Sequence, residues 1–191
     1  THTRRARNTG GRIRDRELPA YVGEDGVEPA HGTETLTELT CFVDTWRWAG
    51  VPFTLRSGKA LGERRREIVI VFKAAPHVPT GLRGLELPTK LRLALAPDEM
   101  TLELNINGPD DPFEIDRTSL TASFGPGQLP AYGEVIAGIL DGDPSLTVRG
   151  DTAEECWRVV APVLEAWRSD TVPLEEYAAG STGPDAWRSL G

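Results

Sequence analysis

Only two cysteines, Cys41 and Cys156, and three histidines, His2, His31 and His77, occur in 191 residues. They lie scattered, without the paired spacing of zinc ligands, which argues against a zinc site. Each cysteine stands inside an apolar periodic segment, so both are expected as reduced core thiols of a cytosolic protein. No apolar run approaches the roughly 20 residues that span a bilayer. The Arg-rich start carries no apolar stretch of signal type, so no secretory signal is expected. Neither G-x-G-x-x-G nor a P-loop is present, and Gly10-Gly11 and Gly125-Pro126-Gly127 read as turns, so no dinucleotide fold follows from the chain. An excess of positive charge is also missing. Lys and Arg total 21 against 29 Asp and Glu, for a net charge of -8 and a pI near 5.0. That balance excludes broad, nonspecific attraction to nucleic acid or acidic lipid, but not a local basic site.

What remains is an ordinary soluble composition, 39% hydrophobic and 26% charged, at a length suited to one sizeable domain. Residues 1–33 show no hydrophobic period. Arg4, Arg5, Arg7, Arg12, Arg14 and Arg16 fit either an anion-binding arm or an irregular connector, and the connector is the simpler reading. A chain opening on Thr-His-Thr without Met reads as a piece of a longer protein.

From Thr35 the pattern turns strand-like. Leu36, Leu39, Cys41 and Val43 are interleaved with polar residues, then Val51, Phe53 and Leu55 alternate. Ile68 to Phe72 is a β-branched series suited to a buried central strand. Lys90 to Leu95 and Met100 to Ile106 predict a hairpin about the turn Ala96-Pro97-Asp98-Glu99, and Thr118 to Phe124 a further strand. Five to eight strands are expected. Leu129 to Leu140 predicts a helix. Asp151-Thr152-Ala153-Glu154 resembles a capping box opening a second helix, in which Pro162 should kink or break the run. Strands followed by helices predict an α+β domain, a large mostly antiparallel β-sheet with helices packed on one face.

The candidate chemistry is cationic. The strand ending at Leu55 runs into Arg56-Ser57-Gly58-Lys59 and on to Gly62-Glu63-Arg64-Arg65-Arg66. A lysine supplies a compact point charge and an arginine a planar fork, the two forms of cation that hold a phosphate ester. Spacing alone fits Lys59 and Arg64 as a phosphate clamp and as solvated surface charge equally well. If 64–66 were strand, alternation would put Arg64 and Arg66 on one side and Arg65 on the other. His77 reads as a general base or phosphate donor, or more simply as a turn residue, since no carboxylate lies nearby in sequence to orient it. Asp110, Asp111, Glu114 and Asp116 lack calcium-loop spacing and read as a solvated loop.

Several motifs resemble, in order, the C-terminal domain of the glucose-6-phosphate dehydrogenase family. They are Asp44 to Leu61 (DTWRWAGVPFTLRSGKAL), Glu67 to His77 (EIVIVFKAAPH), Ala96 to Glu99, Ala131-Tyr132, Gly142 to Arg149, Asp151 to Trp167, Tyr177 to Ser181, and Gly183-Pro184. They span about residues 33–185, which divides the chain into a connector (1–33), the resembling domain (34–185) and a tail (186–191).

The resemblance implies an enzyme that oxidises glucose 6-phosphate to 6-phosphoglucono-δ-lactone with NADP⁺ or NAD⁺ in the pentose phosphate pathway. It implies a cytoplasmic homodimer joined through the sheet, with substrate contacts at Lys59 and Arg64. It also implies that the coenzyme and the catalytic histidine belong to an N-terminal coenzyme domain whose motifs this sequence does not contain. No cofactor, nucleic-acid or membrane partner is expected for this chain, which by itself is expected to be inactive. Thr45, Ala96 and Thr182 depart from the usual family residues. Arg56 matches a second, structural NADP⁺ site of some relatives, but Val69 and Ala94 replace basic residues there and no such site is expected. The alternative is a stand-alone, non-catalytic module that binds sugar phosphate or assists assembly.

Overall fold

The computed structural model describes residues 2–84, 87–95, 97–125 and 131–187. Along them run β1 (His2–Thr9), β2 (Gly11–Ile13), β3 (Arg16–Leu18), β4 (Leu36–Phe42), β5 (Pro52–Gly58), β6 (Glu67–Val71), β7 (Lys90–Leu95), β8 (Asp98–Asn107), β9 (Ile115–Ser123), α1 (Ala131–Asp141), α2 (Gly150–Arg168) and β10 (Leu174–Ala178). The class is α+β and the sheets are mostly antiparallel. The chain divides into two compact units, residues 1–64 with 147–191 and residues 65–146.

In the first unit a four-stranded sheet has the order β10-β1-β4-β5, with β1 and β10 parallel and the other pairs antiparallel. This corrects the expectation of an irregular connector at 1–33, since β1 is a central strand and β2 and β3 form a hairpin. Its sequence HTRRARNT conceals the strand because charged partners replace apolar alternation. Arg4 pairs with Glu38, and Arg5, almost fully buried, donates to the Val172 carbonyl (3.0 Å) and to Asp170 (3.0 Å).

Registers Ala6↔Leu36, Leu36↔Gly58 and Ala6↔Glu175 set Arg4, Ala6, Leu36, Glu38, Arg56, Glu175 and Tyr177 on one face of this sheet. Trp187 covers that face. It is 3% exposed, its indole N–H donates to Glu175 (2.8 Å), and the guanidinium carbons of Arg4 and Arg56 lie 4.9 and 5.9 Å from its ring centroid. Ala6, Leu36, Tyr177 and Trp187 form the core, with Leu61 packed against them. Trp187, expected in the tail, is therefore a core residue.

The opposite face presents the cross-strand pair Leu39↔Leu55 to α2, across a groove of about 620 Å³ also lined by Asp151, Glu155, Cys156 and Val160. Cys156 is exposed in this groove and Cys41 half-buried. Both are free thiols, but Cys156 is no core residue, because the first half of α2 stands clear of the sheet and only Val163 on α2 is fully buried. The expected N-cap also shifts. Arg149 occupies that position without a side-chain cap, and Asp151 sits in the first turn, where it accepts from Arg149 (3.0 and 2.6 Å) near the positive end of the helix dipole. The helix runs on through Pro162 without a break. The missing N–H costs only the bond to the Arg158 carbonyl, and Pro162 is exposed, so water can take its place.

In the second unit a four-stranded antiparallel sheet has the order β6-β7-β8-β9. The β-branched run of β6 was expected at the centre of a sheet. It lies instead at the edge, and Ile68 is 51% exposed. The predicted β7–β8 hairpin closes with Leu95 opposite Asp98, while Ala96, and Leu129 with Pro130 at the predicted start of α1, lie outside the described residues. One sheet face is polar and cross-linked, with Arg92 bonded to Glu67 (2.6 Å) and Arg117 to Glu103 (3.1 Å). The other carries two apolar ladders across all four strands, Ile68-Leu93-Met100-Ala122 and Ile70-Leu91-Leu102-Leu120. Asp111 orders the acidic loop by accepting from the Phe113 N–H (2.8 Å) and pairing with Arg83. No helix among the described residues is long and apolar enough to cross a membrane.

Candidate phosphate-binding site

β5 ends at Gly58, and the next residues turn sharply. Ala60 takes a left-handed conformation (φ 52°), which an L side chain adopts only when its surroundings impose it. The surroundings here are explicit. The Lys59 N–H donates to the Thr35 carbonyl (2.8 Å), and the Lys59 carbonyl accepts from the Tyr177 hydroxyl (2.7 Å). The Gly180 N–H donates to the Ala60 carbonyl (2.8 Å), and the Gly62 N–H to the Ser181 carbonyl (2.9 Å). Four hydrogen bonds thus fix Lys59, Ala60 and Gly62 against Thr35 just before β4, Tyr177 in β10 and the segment after β10.

Two glycines permit this approach. A Cβ at Gly62 would stand 2.3 Å from the Gly180 carbonyl oxygen, and one at Gly180 (φ 89°) would stand 2.0 Å from that of Arg12. Both distances are far inside van der Waals contact, so Gly180 fits between the Gly62 turn and Arg12 only where side chains are absent.

The fixed loop carries Lys59, and Arg64 follows two residues after Gly62. Both residues are exposed, and neither side-chain head has a hydrogen-bond or ion-pair partner among the described residues. Arg65 differs, lying 3.6 Å from Glu67. Residues 64–66 precede β6 and are not strand, so strict alternation of the three arginines does not apply. His77 lies in the loop after β6 and lines a groove of about 220 Å³ with Val78, Pro79, Asn105, Ile106 and Ile115 in the second unit. Among the described residues it has no hydrogen-bonded carboxylate to orient it as a base.

Sequence reading missed the residues behind the loop. Tyr177, Thr35 and Asn8 are 4%, 8% and 5% exposed. The Asn8 N–H donates to Thr35 Oγ1 (2.9 Å), and Thr35 Oγ1 lies 2.9 Å from the Tyr177 hydroxyl. Burial pushes the Tyr177 hydroxyl pKa above its usual value, while the Thr35 hydrogen bond and the Arg56 charge pull it the other way. The available signal was the tyrosine itself, a polar aromatic directly before the Ala-Ala-Gly-Ser turn.

The groove beside α2 does not fit a pyridine nucleotide. It is apolar, the carboxylates on its rim are already held by arginines, Asp151 by Arg149 and Glu155 by Arg158, and its lining residues include no cations for a pyrophosphate. The sequence offers no glycine-rich loop at a helix start to replace them.

The sequence model of the family described as glucose-6-phosphate dehydrogenase, C-terminal domain, matches residues 1–190. The chain is 35% identical over 197 residues to glucose-6-phosphate 1-dehydrogenase of Treponema pallidum and 37% identical over 191 residues to that of Gluconobacter oxydans, in each case covering 97% of this chain and 38% of the relative. Among solved structures, glucose-6-phosphate 1-dehydrogenase from Mycobacterium avium superposes with a TM-score of 0.75 at 31% identity, covering 97% of this chain and 37% of that one. A glucose-6-phosphate dehydrogenase in complex with its substrate glucose-6-phosphate superposes with a TM-score of 0.81 at 26% identity, covering 96% and 38%. The chain spans somewhat over a third of the length of these relatives, and it belongs to the glucose-6-phosphate dehydrogenase C-terminal domain family.

Proposed function

We propose that this chain is the substrate-holding and dimerising C-terminal part of a cytosolic glucose-6-phosphate dehydrogenase, in which Lys59 and Arg64 grip the phosphate of glucose 6-phosphate. The observation that carries this reading is the Lys59 loop, whose backbone is fixed by three backbone hydrogen bonds and one from the Tyr177 hydroxyl, while two cationic heads without a partner among the described residues project from it and its continuation. A fixed backbone lowers the ordering cost of binding, and exposed cations on it suit a dianion. The reading extends to a homodimer formed through a sheet.

In that enzyme NADP⁺, or NAD⁺, would be held by the protein's own N-terminal coenzyme domain and would accept the hydride, and the same domain would supply the base for the sugar hydroxyl. The residues here do neither task. They hold and orient the phosphate end of the sugar. Full-length dehydrogenases as relatives favour this over a stand-alone module.

Half a site binds weakly, because a pocket normally encloses most of its ligand. Affinity of the chain for glucose 6-phosphate is expected to be millimolar at best, about -4 kcal/mol. The test is thermal-shift titration of the chain with glucose 6-phosphate, alongside an assay for NADP⁺ reduction. Stabilisation by the sugar phosphate, reduced in Lys59→Ala and in Arg64→Ala with no turnover in any form, is the expected result. Equal stabilisation of wild type and both variants would contradict it.

A further inference from the structure

Tyr177 and Thr35 form a relay with one direction of donation. The Lys59 carbonyl can only accept, so the single proton of the Tyr177 hydroxyl is committed to it at 2.7 Å. The 2.9 Å bond between Thr35 Oγ1 and the Tyr177 oxygen is therefore donated by Thr35, and Thr35 Oγ1 accepts in turn from the Asn8 N–H at 2.9 Å. Each hydroxyl is used once as donor and once as acceptor. Three almost fully buried residues from the β1 strand, the start of β4 and the β10 strand thus converge on one carbonyl. The same Thr35 also accepts the Lys59 N–H through its own carbonyl at 2.8 Å, so Lys59 is gripped at both backbone ends.

We propose that Tyr177 is a positioning residue for phosphate binding: its hydroxyl, ordered by Thr35, fixes the Lys59 peptide and so aims the lysine head at the ligand. The inference rests on the reading of Lys59 given above. Tyr177, 4% exposed, acts through Lys59. With its hydroxyl gone, the Lys59 backbone keeps only its N–H anchor, and the head samples directions that miss the phosphate. The effect should match one net hydrogen bond, a roughly fivefold weakening.

The experiment is a titration of the full chain with glucose 6-phosphate followed by ¹H–¹⁵N NMR, on wild type, Tyr177→Phe, Thr35→Val, Thr35→Ser and Lys59→Ala. Tyr177→Phe keeps the ring in the core, and Thr35→Ser keeps the hydroxyl, so the serine variant should bind as wild type does while the valine variant weakens with Tyr177→Phe. The amide signals of Lys59 and Ala60 should shift in Tyr177→Phe before any ligand is added. Binding by Tyr177→Phe and Thr35→Val equal to wild type, with Lys59→Ala weakened, would overturn the positioning role and leave the phosphate reading standing. Equal loss in Thr35→Val and Thr35→Ser would also overturn it, since the hydroxyl would then be irrelevant. Wild type that does not bind, or Lys59→Ala that binds as tightly, would overturn the reading of the site itself. If Tyr177→Phe does not fold, the Thr35 pair decides alone.

Discussion

At the scale of single residues, the candidate site is a lysine in plain view supported by a tyrosine that is hidden. Lys59 and Arg64 could be named as candidates because cations after a strand-ending glycine leave a trace in sequence, although spacing alone fits solvated surface charge equally well. Tyr177 was not, because its role depends on a partner 118 residues away. Its hydroxyl also gives a pH prediction. The buried phenol has a raised pKa, so the folded chain holds this proton more tightly than the unfolded chain does. The stability it contributes is fully present below the unfolded value of about 10 and is lost as pH rises through the higher folded value. Tyr177→Phe should lower stability near neutral pH by about 1–3 kcal/mol, since it leaves the Lys59 carbonyl without its donor. It should also flatten the fall in stability above pH 10. Urea unfolding of both forms across pH 8–11 measures this, and parallel alkaline slopes would refute it.

At the scale of elements, hydrophobic period identified β4, β5, β7, β8, β9 and both helices. It failed for β1 and β10, whose sequences HTRRARNT and LEEYA lack an apolar stripe. β1 is held from both sides by backbone pairing, and two of its arginines find partners, Arg4 in Glu38 and the Trp187 ring and Arg5 in Asp170 and the Val172 carbonyl. Such pairing is long-range and leaves no local signature. The same limit misplaced β6, since a β-branched run indicates a strand without saying whether it has two neighbours or one. Because β1 lies between β10 and β4, deleting residues 2–9 should remove hydrogen-exchange protection from the amides of Leu36–Phe42 that it bonds. Retained protection in β4 would show that β1 is the dispensable connector its composition suggested.

At the scale of the whole molecule, the isolated chain exposes much apolar surface. Trp46, Tyr132, Leu140 and Trp157 are largely solvent-exposed, and the apolar ladders of the second unit end at exposed Ile68 and Leu120. Patches of this kind mark surfaces made for contact. If the proposed homodimer uses the apolar face of the second unit's sheet, sedimentation should show concentration-dependent association that Leu120→Asp suppresses. Leu120 is exposed, so that substitution spares the fold, and unchanged association would place the contact elsewhere. The proposed contact with glucose 6-phosphate is the fixed turn that carries Lys59. Chemical-shift mapping of the full chain with glucose 6-phosphate tests it most directly. Saturable shifts concentrated in residues 59–64 and the adjoining Ser181 segment are expected. Shifts confined to the groove beside α2 or to the loop carrying His77, or no saturable shift at all, would contradict it.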